Sequence, residues 1–243
     1  MNALFIVQLI LYVLLSVPVC YILRRHGWPG FLGWAFLLVF CAFRIVGGGF
    51  AINNTGTGAD ILASLGLGPL LLAVNGVLTE ARTYRKPDVN IYLHWFYIAV
   101  ITAIVAAGLA EAGTGAAALG GGHPNSDDVT NAAIGLGLFF ATWVILVGWG
   151  LFQLKLTQQR GGAPAFREGT VLLYAVLASL LFLGIRVTYG LVAVSTKKGS
   201  LNPITGSLAV RVLLGFLPEV ILTGILVYAG FKTKEVNRIP KAY

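Results

Sequence analysis

The chain has 243 residues, of which 57% are hydrophobic and only 11% charged, with a formal net charge of +8. That balance excludes an ordinary soluble domain and points to an integral membrane protein with the lipid bilayer as its surroundings. The basic excess does not signal nucleic acid, because its residues fall between apolar runs, where they orient membrane helices.

A bilayer-spanning helix needs about 20 apolar residues. Seven such runs follow one another, at about 4–23, 30–51, 58–79, 91–112, 132–154, 169–194 and 207–231. With short loops between them, residues 1–243 read as a single all-α domain of seven transmembrane helices. The first run is not expected to be a cleaved leader, since Arg24 and Arg25 follow it rather than precede it. The second run carries Gly33-Trp34, Cys41 and, two-thirds of the way along, Arg44. The third opens near Asp60 and contains Pro69. The fourth has His94 near one end and Glu111 at the other, and the fifth contains Trp149. Arg186 stands in the sixth run at the place Arg44 holds in the second. The seventh places Arg211, Pro218 and Glu219 in apolar surroundings.

Charges in the connections set the orientation. Arg24, Arg25, Arg82, Arg85, Lys86, Lys155, Arg160, Arg167, Lys232, Lys234, Arg238 and Lys241 fall after runs 1, 3, 5 and 7. Lys197 and Lys198 alone fall on the other side. The expected topology is N-terminus out, C-terminus in the cytosol.

Two parts of the chain answer each other. Phe43-Arg44-Ile45 with Gly48 resembles Ile185-Arg186-Val187 with Gly190, and Gly66-Leu67-Gly68-Pro69 resembles Gly215-Phe216-Leu217-Pro218. We expect a parallel 3+1+3 internal repeat, with run 4 as connector and a site near the repeat interface. Pro69 and Pro218 lie inside their runs, where each removes a backbone donor and tends to kink the helix.

A charged side chain inside a bilayer is costly and normally faces a partner or a watery cavity. By depth, Arg44, Arg186, Arg211, Asp60, Glu111 and Glu219 all fall in the outer half, with almost no buried charge expected in the inner half. Arg211, Gly215, Glu219 and Thr223 recur every four residues on one helix stripe, and Asp60, Ser64, Gly68, Asn75 and Thr79 line another. Arg186 neighbours Ser179, Tyr189 and Gly190, and Trp34, Tyr97 and Trp149 are candidate aromatic walls. Such a lining suits a polar chamber opening outward. Arginine keeps its proton, so Arg44 and Arg186 can hold an anion or orient a carboxylate but cannot serve as acids. Glu219 can hand a proton to an epoxide or alkene, with Asp60 sharing or positioning that proton. The structural alternative is that arginine–carboxylate pairs only fix the bundle, that Asp60 caps a helix start, that Glu111 is solvated and that His94 is interfacial.

Other chemistries are set aside. No metal-ligand spacing is present and no cofactor is implied. Asp127-Asp128, assigned to a loop, lacks the further acid of a magnesium-binding DDxxD motif, and Gly47-Gly48-Gly49 lacks the lysine and strand of a phosphate loop. Cys20 and Cys41 lie in apolar runs and read as small buried residues. The Asn53-Asn54-Thr55 sequon lies against the membrane, where use is not expected.

Arg25-His26-Gly27, Gly33-Trp34, Arg44-Ile45, the segment LGLGPLLLA at 65–73 and Leu217-Pro218-Glu219 resemble a fungal family of seven-helix membrane proteins over nearly the full length. In size and topology the chain is also similar to the fungal membrane-bound meroterpenoid cyclases of the ascochlorin and ascofuranone pathways. A second fungal cyclase group has a Trp-Glu pair in its second helix, where this chain has Arg44. The resemblance implies a metal-independent terpene cyclase acting on a lipophilic, prenylated intermediate, beside other pathway enzymes in one membrane, with the endoplasmic reticulum the expected location. It would make Glu219 the general acid and Asp60 its relay. Arg44 and Arg186 would orient the acids, and Tyr189 with Trp34 or Trp149 would stabilise developing cations. The alternative on the same residues is a small-solute transporter or receptor-like membrane binding protein.

Overall fold

The computed structural model describes residues 3–52, 66–85, 91–120, 126–156, 165–196 and 207–236, and these are helical almost throughout. The helices are α1 (Ala3–Ile52), α2 (Leu67–Arg85), α3 (Ile91–Gly120), α4 (Ser126–Leu156), α5 (Phe166–Thr196) and α6 (Leu208–Lys232). Five of them, all but α2, are long and apolar enough to cross a membrane.

The 48-residue apolar stretch of α1 would extend about 72 Å if straight, more than twice a hydrocarbon core of roughly 30 Å. It is not straight. Gly27 has φ 62° and ψ −151°, a backbone region open essentially to glycine alone. This elbow folds α1 into two antiparallel arms, and Pro29 begins the second arm, where its missing N–H costs nothing. A Cβ on Gly48 would stand 3.2 Å from the Leu9 side chain, and the Tyr12 and Phe40 rings meet edge to face at 5.4 Å.

α2 is the axis of the bundle. It packs on α1 and α5, with further contacts to α3 and α4, and every residue from Leu67 to Ala81 is buried. It holds Asn75, Thr79, Glu80 and Arg85, all buried. A helix ringed by protein instead of lipid can carry such residues, because neighbouring helices supply partners. Around it, α3 pairs with α4, α4 with α5, and α5 with α6, while α6 returns to touch α1.

Three sequence expectations change here. Pro69 falls in the first turn of α2, where no intrahelical bond is lost, so it does not kink a helix interior. Asp127 and Asp128 belong to the first turn of α4, where acids complement the helix dipole. Glu111 lies within α3, more than two turns before its end.

The α1–α2 crossing is made by glycines. A Cβ on Gly76 would lie 2.3 Å from both Cα and N of Gly33, so the two backbones are in contact. Gly76→Ala must therefore push α1 off α2. We expect a loss of about 1–3 kcal/mol, read as a lower thermal midpoint in detergent. Gly137→Ala, where an added Cβ meets nothing within 4 Å, is the control that should hold its midpoint.

Candidate functional site

Pro218 cannot donate to the carbonyl four residues before it. The chain answers with a π turn over Arg211–Phe216, in which Leu217 N–H reaches back to Val212 O. π turns within helices recur at functional sites. This one delivers Glu219 into the bundle one residue after the proline, and Thr223 Oγ1 donates to the Glu219 carbonyl at 2.8 Å.

At Glu219 two arginines from distant parts of the chain converge. Arg44 Nη2, from the second arm of α1, donates to Glu219 Oε1. Arg186 Nε, from α5, donates to the same oxygen at 2.7 Å. The three residues are 6%, 6% and 2% exposed, so the ion pairs are withdrawn from solvent. Oε2 takes no hydrogen bond among the described residues. The Arg44 guanidinium lies 5.4 Å from the Phe40 ring and that of Arg186 lies 5.9 Å from Tyr189. Tyr12 is close enough to feel all three charges. Among the described residues the Tyr12 and Tyr189 hydroxyls and Arg44 Nε are buried here without a hydrogen-bond partner, as are Ser179 Oγ, two turns before Arg186, and Asn75 Oδ1, beside the Gly76–Gly33 crossing. Buried polar atoms of this kind are uncommon, and such a group invites a ligand or water.

A second polar centre, not foreseen in the inner half, gathers at the basic end. Glu80 of α2 takes His26 Nδ1 at 2.6 Å and Tyr84 OH at 3.1 Å on Oε1, and Trp34 Nε1–H at 2.9 Å on Oε2. His26 Nε2 lies 3.0 Å from the Gly230 carbonyl. A carbonyl only accepts, so Nε2 carries a proton. His26, Trp34 and Glu80 are fully buried. A Cβ on Gly30 would stand 2.5 Å from the Glu80 carboxylate, so glycine there makes room for the acid. The centre ties the α1 elbow, α2 and the end of α6 together. The two centres lie ten residues apart on α1 (Trp34 to Arg44) and eleven on α6 (Glu219 to Gly230), about 15 Å by helical rise.

Four of the anticipated site residues therefore come together: Arg44, Arg186, Glu219 and Tyr189. Trp34 does not line that centre; its indole is bonded to Glu80. Trp149 also sits at the basic end, stacked on Tyr97 at 5.1 Å and under the Arg82 guanidinium at 5.1 Å. Asp60 lies outside the described residues. Among the described residues no group of His, Cys, Asp and Glu could hold a metal ion.

No curated protein and no solved structure matches the chain. A family described as a domain of unknown function, DUF7702, matches residues 1–236, and the chain thus belongs to the DUF7702 family.

Proposed function

We propose that this multi-pass membrane protein binds the polar group of a small, membrane-partitioning molecule at the Arg44–Glu219–Arg186 centre. The observation that carries the reading is the convergence of three buried charges from α1, α5 and α6 beside unpartnered tyrosine hydroxyls. A pure fastening would need one arginine for one carboxylate; the surplus guanidinium and open donors suit a guest. The two arms of α1 with α2–α6 make seven crossings, and the basic end faces the cytosol. The 3+1+3 repeat is supported by Arg44 and Arg186, its two equivalent arginines, sharing one carboxylate oxygen.

Binding alone serves a transporter or receptor. Cyclisation of a prenylated intermediate in the endoplasmic reticulum membrane is the second reading. In its favour, the Glu219 oxygen that takes no hydrogen bond among the described residues can carry a proton towards an epoxide or alkene. Trp34 and Trp149 would take no part, leaving Tyr189 and Phe40 as the aromatic faces near the charge.

Microsomes from a yeast host, assayed with farnesylated phenols and their terminal epoxides, separate these readings. Cyclised product that vanishes in an equally abundant Glu219→Gln protein makes the chain a cyclase. Arginine-dependent solute flux in vesicles, without product, makes it a transporter. Arg44→Gln and Arg186→Gln proteins that match the wild type in ligand response, flux and turnover would sink the site altogether.

A further inference from the structure

We propose that the group bound at the Arg44–Glu219–Arg186 centre is a singly charged oxyanion, such as the carboxylate of a lipophilic acid; this rests on the binding reading above. The centre holds two guanidiniums and one carboxylate, and Glu219 is the arginines' only ion-pair partner among the described residues. Among the described residues one buried positive charge is thus left over, and an uncompensated buried charge is costly. Arg211, only partly buried, stands nearby but outside this balance. It sits in the π turn two turns before Glu219, within electrostatic reach of Tyr189. Its guanidinium lies over the Phe5 ring at 5.2 Å, without an ion pair among the described residues.

The open hydrogen-bonding capacity has the same sense. Arg44 Nε can only donate, and the Tyr12 and Tyr189 hydroxyls can donate; all three are buried and have no hydrogen-bond partner among the described residues. Glu219 Oε2 is the opposing feature, an acceptor that a second anion must avoid. It limits the guest to a single charge, because a doubly charged group would leave negative charge in excess at the Arg44–Arg186 pair. A cation would meet the surplus guanidinium, and a neutral acceptor would leave that charge unbalanced. Planar guanidiniums match a carboxylate geometrically.

The experiment uses full-length protein in lipid nanodiscs, with decanoate, decanol and decylamine as probes and thermal unfolding as readout. Decanoate should bind at least about tenfold more tightly than decanol, the increment expected of hydrogen bonds to a charged group, and decylamine should not stabilise. Arg44→Gln and Arg186→Gln each leave one arginine paired with Glu219, so both should fold and lose the preference for the acid. Equal binding of decanol overturns the oxyanion and leaves the binding reading standing. Stabilisation by none of the three overturns both. A preference for decanoate that survives in both arginine variants places the anion elsewhere and also overturns the proposal.

Discussion

Glu219→Leu is expected to be the most damaging single change at the Arg–Glu–Arg centre, costing about 3–5 kcal/mol. The carboxylate is the shared acceptor of Arg44 and Arg186, so its removal leaves two guanidiniums without a counter-charge. Removing either arginine instead leaves a one-to-one pair. The thermal midpoints of Arg44→Met and Arg186→Met should therefore stay near that of the wild type, with Glu219→Leu well below all three. A triple change, Arg44→Met with Arg186→Met and Glu219→Leu, should recover most of the loss, because a buried ionic group replaced whole by apolar side chains is often neutral or stabilising. A triple variant as unstable as Glu219→Leu would show that packing of the glutamate stem, and not charge, sets the loss.

The second large effect is expected at the basic end. Glu80→Leu strands the Trp34 indole N–H, the Tyr84 hydroxyl and His26 Nδ1, which now meet on one carboxylate. A buried donor left without a partner costs about 1–3 kcal/mol, so the summed loss is about 4 kcal/mol on a conservative count. Because these partners lie on α1 and α2, and His26 also holds the Gly230 carbonyl of α6, the damage should open three elements at once. Protease sensitivity near the α1 elbow and a change in tryptophan emission are the readouts beside the thermal midpoint. Glu80→Gln keeps one acceptor and should lose less. If Glu80→Leu matched the wild type in all three, the centre would have no part in holding the elbow.

The two centres also show what the sequence can and cannot disclose. Arg44, Arg186 and Glu219 stand in otherwise apolar runs, where a charge is expensive enough to be conspicuous, and the structure brings all three together. His26 and Glu80 are equally buried but sit beside Arg24, Arg25, Arg82 and Arg85. There a charge reads as an ordinary membrane-edge residue. What turns His26 inward is the single backbone conformation of Gly27, and its partner lies 54 residues away. No local periodicity encodes that contact. Trp34 and Trp149 stand at the basic end, which the sequence hides for a related reason: aromatic residues in a run disclose neither depth nor face, and only packing puts Trp34 on Glu80 and Trp149 under Arg82. The helices themselves were legible, because apolar length alone nearly defines them. α2 blended into that pattern although it carries buried Asn75, Thr79, Glu80 and Arg85, and the first two runs fused into one elbowed helix.

A guest held at the Arg44–Glu219–Arg186 centre, as opposed to a mere fastening of helices, should travel with the protein. Native mass spectrometry of protein taken from its membrane in mild detergent tests this most directly, comparing wild type with Arg44→Gln and Arg186→Gln. The account predicts one small-molecule adduct of defined mass on the wild-type chain that is absent from both variants at equal abundance and similar thermal midpoint. Identical spectra from all three proteins would contradict it and leave the centre as an internal fastening of the bundle.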